Sequence, residues 1–107
     1  MRDYGRGGAL TETTLLILLA LYQPKHGYGI MQFIESRTHG RVCLGAGTLY
    51  GALNTMKEKE WIEELKDRGI RRKEYRITSL GRNIAEAELF RMKQVLKTAE
   101  LIMGVGK

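Results

Sequence analysis

Two groups of side chains in this sequence suit the grip of a polyanion. Thr48, Tyr50, Gly51, Asn54, Thr55 and Lys57 fall at helical spacing, and Arg68, Arg71, Arg72 and Lys73 crowd a short segment downstream. The first group offers hydroxyls, an amide and a backbone bared by glycine. Such groups exchange hydrogen bonds with the base edges of duplex DNA, and asparagine bridges the N6 and N7 edge of adenine. The second group offers guanidinium and ammonium groups, which neutralise phosphates. This is recognition chemistry rather than covalent chemistry. No nucleophile is paired with a base. His26 and His39 are isolated and Cys43 is the only cysteine, so no metal-ligand constellation forms. Gly5, Gly7 and Gly8 lack the strand and helix that a phosphate-cradling loop needs. The expectations are no enzyme, no cofactor and no metal.

The totals agree with that reading. The 107-residue chain carries 18 Lys and Arg against 12 Asp and Glu, a formal charge of +6, and such an excess favours an anionic partner. The length allows one folded body with a modest core. Residues 1–78 read as a DNA-binding body that starts with a flexible arm, residues 1–9, bearing Arg2 and Arg6. Residues 79–107 read as a dimerisation helix. Cys43, between Val42 and Leu44, is expected to pack as a small apolar residue in a reducing compartment. No signal-peptide pattern opens the chain, and the apolar run Leu15 to Tyr22 is too short to cross a bilayer. The expected location is the cytoplasm, with no membrane partner.

Four helices and a hairpin must position the two groups. Thr11 and Glu12 suit the start of a first helix through Leu15 to Tyr22, stopped at Gln23-Pro24. It is apolar all round and needs cover on every side, part of it from a second subunit. A second helix opens at His26-Gly27-Tyr28-Gly29 and runs to about Arg37, with Ile30, Phe33 and Ile34 as its apolar stripe. Gly40 offers a positive φ at its end. Val42 to Leu44 reads as a short strand. A third helix runs from Ala46 or Thr48 to Glu60. It buries Leu49, Ala52, Leu53 and Met56 and turns Thr48, Tyr50, Gly51, Asn54 and Thr55 outward without charge. Tyr50 is expected to reach phosphate through its hydroxyl rather than pack on the second helix.

Residues 61–66 and 73–77 read as a hairpin with a basic turn at 67–72, Tyr75 and Ile77 facing inward. Thr78 and Ser79 cap a last helix reaching about Met103. In it Ala85, Leu89, Met92, Leu96, Ala99 and Met103 are spaced 4-3-4-3-4, a heptad seam. With Leu15, Leu16 and Leu19 of the first helix, this seam is expected to join two copies as a homodimer. Leu15, Ile17, Leu89, Met92 and Leu96 are candidates to border a cavity between subunits for a small apolar effector.

The fold class is therefore mainly α with a small β-hairpin: a winged helix-turn-helix with a long C-terminal helix. The third helix enters the major groove and the basic wing meets phosphates or the adjoining minor groove. Leu19-Ala20-Leu21, His26-Gly27-Tyr28-Gly29-Ile30, Gly47-Thr48-Leu49-Tyr50-x-Ala52-Leu53, Arg71-Arg72-Lys73-x-Tyr75-x-Ile77-Thr78 and Gly81 together resemble the PadR family of bacterial transcriptional regulators. The resemblance implies a dimeric repressor on a pseudo-palindromic operator, dimerised by its C-terminal helix and often released by a small molecule or stress signal. The chain is similar to the short form with a single C-terminal helix. It departs from the family pattern in three ways. Gly51 stands where the family usually has proline. Trp61 follows Glu60 where the resemblance implies glycine, and is expected to cover the join of third helix and wing. Met92 stands where some drug-binding members stack a flat ligand on tryptophan. A different class of function, a winged-helix module that binds RNA or a protein without an operator, fits the same charge.

Overall fold

A computed structural model describes residues 9–65 and 73–105. The expected arm (except Ala9) and the turn at 67–72, with Arg68, Arg71 and Arg72, lie outside these residues. The elements run α1 (Glu12–Ala20), β1 (Lys25–His26), α2 (Gly27–Arg37), α3 (Ala46–Glu58), β2 (Ile62–Leu65), β3 (Glu74–Ile77) and α4 (Ser79–Met103).

Local chemistry sets most of the boundaries. Thr11 Oγ1 accepts the Thr14 N–H at 3.0 Å and starts α1. His26 caps α2, its Nδ1 accepting the Gly29 N–H at 3.1 Å. Thr78 Oγ1 accepts the Gly81 N–H at 3.0 Å at the head of α4. Gly40 takes φ +81° after α2 and Gly104 φ +73° after α4, the left-handed exits that glycine allows. α1 ends two residues before the expected Tyr22, because Leu21 already turns its N–H back onto the last carbonyls.

The three strands form one antiparallel sheet in the order β1-β3-β2. Ile62 pairs with Ile77 and Glu63 with Arg76. The Ile77 N–H donates to the Leu21 carbonyl at 2.9 Å and so ties the sheet to the end of α1. Ile17, Leu18 and Leu21, Ile30 and Ile34, Leu49, Leu53 and Met56, and Ile62, Tyr75 and Ile77 make one core. Burial of Tyr75 and Ile77 matches the alternation of the returning strand. The first turns of α4 join this core through Gly81, Ile84, Ala85 and Glu88. Gly81 is required there: a Cβ on it would stand 2.1 Å from the Trp61 carbonyl oxygen.

Two expectations are corrected. The third strand is Lys25–His26, not Val42 to Leu44. Thr38 Oγ1 accepts the Val42 N–H at 3.1 Å, so a local side chain takes a group that a ladder would use. Lys25 and His26 pair instead with Tyr75 and Glu74 of β3. Cys43 is exposed, because its half-buried neighbours Val42 and Leu44 point inward and leave it outward. Glu60, the residue before Trp61, takes φ +64° after α3, a left-handed conformation that favours glycine. Trp61 itself packs on the core at the join of α3 and β2, with Lys59 5.2 Å above its ring. Ile17, one of the residues expected to border the effector cavity, is 0% exposed inside the core.

Candidate nucleic-acid interface

Helix α3 is seated by Leu49, Leu53 and Met56, all buried at the i, i+4, i+7 spacing. That seating turns Thr48, Tyr50, Gly51, Asn54 and Thr55 to the surface together. Its start is bare. Gly45 is the N-cap and gives no side-chain hydrogen bond, whereas α1, α2 and α4 each have one. The opening amides of α3 therefore keep the partial positive charge of a helix N-terminus, next to glycines with no neighbour within 4 Å of a Cβ at 45, 47 or 51. The face is smooth, uncharged and rich in hydrogen-bonding groups. Thr55 donates to the Gly51 carbonyl at 3.2 Å and stays exposed.

Tyr50 packs on the second helix, the alternative that the sequence reading set against phosphate contact. A Cβ on Gly27 would stand 2.1 Å from the Tyr50 hydroxyl oxygen, so the ring lies on the start of α2, yet the residue stays 44% exposed. Glycine at 27 is what leaves room for the end of the Tyr50 ring there. Tyr28, also exposed, projects from the same first turn of α2. It was not singled out from the sequence, where an aromatic beside a helix start reads as core.

The cations beside this face are not bare. Lys57 donates to Glu64 Oε1 at 2.7 Å, and Lys73 Nζ lies 3.7 Å from Glu64 Oε2. The hydrogen bond raises the Lys57 pKa above the ordinary lysine value and lowers that of Glu64. Arg76 donates to Glu63 Oε2 at 2.6 and 2.9 Å. Burial, and then the Glu64 charge, raise the Tyr75 pKa. Sequence reasoning counted the cations and passed over Glu63 and Glu64. Their position on the outgoing strand of a basic hairpin was the available signal. An open groove lined by Lys57, Glu63, Glu64 and Leu80 lies at this junction. None of the residues expected to border an effector cavity lines it.

α4 presents a second surface. At 1.5 Å per residue its 25 residues span about 37 Å. Beyond Glu88 it leaves the core, and Leu89, Met92 and Leu96 are 51%, 43% and 58% exposed. Met103 is exposed and Ala99 half-buried, while Ala85 is buried against the body. Leu19 is exposed on α1, with Leu15 and Leu16 half-buried. No described helix is long and apolar enough to cross a membrane. Among the described residues no cluster of three or more His, Cys, Asp or Glu could hold a metal ion.

Comparison with known proteins fits this geometry. The chain is 32% identical to an uncharacterised protein X of Lysinibacillus sphaericus, over 84% of this chain and 85% of that one. It is 35% identical to an uncharacterised 37.1 kDa protein in transposon TN4556 of Streptomyces fradiae, over 78% of this chain but only 24% of that protein's length. Its fold is similar to that of a PadR family transcriptional regulator from Eggerthella lenta, with TM-score 0.76, 19% identity, and 88% and 83% of the two chains covered. A PadR family regulator from Clostridium difficile gives 0.69, at 26% identity over 84% and 96%. Bacillus subtilis PadR in complex with operator DNA gives 0.63, at 18% identity over 72% of this chain and 46% of that one. The model of the transcriptional regulator PadR-like family matches residues 15–87. A winged helix extended by one long C-terminal helix, bearing that match over most of its length, belongs to the PadR-like family of transcriptional regulators.

Proposed function

We propose that this protein is a dimeric, sequence-specific DNA-binding regulator that represses a nearby gene or operon. One observation carries the reading: α3 buries its apolar stripe and holds Thr48, Gly51, Asn54 and Thr55 outward as an uncharged, small, hydrogen-bonding face. A solvated helix face ordinarily carries Lys and Glu, whereas small hydrogen-bonding side chains such as these fit a major groove and meet base edges there. The relative solved with operator DNA shares the fold and supports the placement. In this reading Asn54 reads a base edge, Tyr50 and Thr55 fix the helix on the backbone, and Arg68, Arg71, Arg72 and Lys73 meet phosphates. The body of residues 1–78 is the reading head. The uncovered Leu89, Met92 and Leu96 pair with their copies and with Leu15, Leu16 and Leu19 across a two-fold axis, giving two heads for a pseudo-palindromic operator. A small apolar effector would sit between subunits against Leu15, Leu89, Met92 and Leu96, raising the melting temperature and loosening operator binding together.

The test is binding to duplexes enriched from a random-sequence library. An inverted repeat should emerge. If each subunit neutralises about 4 phosphates, log K should fall with log salt at a slope of about −7 for the dimer. Asn54→Ala should alter preference at one position in each half-site, whereas Arg71→Ala with Arg72→Ala should weaken all duplexes alike. Leu89→Asp with Met92→Asp should yield monomers by sedimentation and abolish inverted-repeat binding. No enrichment, or a preference for structured RNA in direct competition, overturns the reading.

A further inference from the structure

Glu64 is placed unlike any other acid among the described residues. Each of the remaining ion pairs joins one cation to one carboxylate: Arg41 to Glu12, Arg76 to Glu63, Arg91 to Glu88. The Glu64 carboxylate alone serves two, with Oε1 2.7 Å from Lys57 and Oε2 3.7 Å from Lys73. These two cations come from different elements. Lys57 stands in the last turn of α3, and Lys73 immediately precedes β3. A two-oxygen anion bridging cations from the reading helix and from the wing is the arrangement a DNA phosphate would adopt at this junction. The site is accessible, since the side chains of Lys57, Glu64 and Lys73 are 38%, 30% and 66% exposed.

We propose that the Glu64 carboxylate is a built-in competitor for DNA phosphate, holding Lys57 and Lys73 in the unbound protein and lowering affinity for duplex of any sequence. The inference rests on the DNA-binding reading above and deepens it. Binding a phosphate at this junction must displace the carboxylate from both ammonium groups, or leave it facing the phosphate at close range. Either event costs affinity without regard to base sequence, because in this proposal Lys57 and Lys73 meet phosphate rather than bases. The consequence is a weaker grip on operator and non-operator sites alike, with the ratio between them unchanged.

The experiment compares wild type, Glu64→Gln and Glu86→Gln on the selected duplex and on a scrambled duplex, across a salt series. Glu86 is exposed on α4, away from the junction in sequence and element, and its change removes the same formal charge. Glu64→Gln should tighten binding to both duplexes by about threefold to tenfold at low salt, the scale of one or two exposed ion pairs. It should also steepen the salt slope by about one. Glu86→Gln should leave both quantities at the wild-type value, and thermal melting of each variant checks its fold. Equal tightening by both variants overturns the proposal in favour of a net-charge effect. Weaker binding by Glu64→Gln overturns it in favour of a positioning role for the carboxylate. No change in Glu64→Gln, with wild type bound, overturns it while leaving the DNA-binding reading intact. Failure of all three proteins to bind duplex overturns both.

Discussion

Replacing Gly51 with alanine separates what folds this protein from what it recognises. Gly51 sits inside α3, where glycine is less favourable than alanine by about 0.8–1 kcal/mol. A Cβ built there meets no heavy atom within 4 Å, so the methyl group adds no clash and fills no gap. The propensity difference should therefore appear almost undiminished as stability. For a domain of this size about 1 kcal/mol raises the melting temperature by about 4–8 °C. On the DNA side the same methyl stands on the outward face. If the bared backbone at 51 lies against a base edge, the added carbon pushes α3 away and costs a contact of about 1–3 kcal/mol in each half-site. Over two half-sites even the lower figure weakens binding about thirtyfold. The assays are calorimetry of the purified protein and fluorescence anisotropy on its selected duplex. A lower melting temperature would refute the open-space argument. Higher stability with unchanged affinity would refute the close approach of the backbone to DNA.

Other perturbations test the fold around this face. Glu60→Gly should raise stability by about 0.5–1 kcal/mol by urea denaturation, since φ +64° strains an L residue and glycine only partly offsets the gain through its freer unfolded state. Gly81→Ala should destabilise by about 3 kcal/mol in the same assay, because its Cβ would overlap the Trp61 carbonyl and approach Ile77 Cγ1 to 2.8 Å. Glu88, 5% exposed, is held below the ordinary carboxylate pKa by the Arg91 guanidinium, with the Leu10 N–H adding to the effect. A depressed folded-state pKa contributes stability that is complete above the unfolded value of about 4.3 and is lost as pH falls through the lower folded value. Glu88→Gln should therefore be less stable than wild type at neutral pH, and thermal melts should show the gap closing below about pH 4. A gap that stays constant with pH would refute the ion pair as its source.

Much of the architecture was legible in local sequence. Thr11, His26 and Thr78 announced three helix starts because capping is settled within a few residues by a side-chain acceptor and a nearby amide. The buried stripe of α3 and the inward Tyr75 and Ile77 followed from periodicity, which a solvated helix or strand must obey to cover a core. Because burial of that stripe orients the whole helix, the outward set Thr48, Tyr50, Gly51, Asn54 and Thr55 came with it. The heptad seam of α4 was equally plain, and beyond Glu88 the described residues leave it exposed.

What periodicity could not decide were the choices that depend on residues far away along the chain. The third strand became Lys25–His26 because β3 offered its edge there, while Thr38 had already taken the Val42 amide. Glu60 took the left-handed turn because α3 had to reverse into β2, with its carbonyl accepting from Thr78 at 2.7 Å, a partner 18 residues on. Tyr50 met Gly27 across the helix pair, and Glu64 reached two lysines from separate elements. Sequence alone determined which faces are apolar and where helices begin, since those follow from spacing and neighbouring atoms. The tertiary structure alone decided which charges meet, because an ion pair depends on distances that no local pattern encodes.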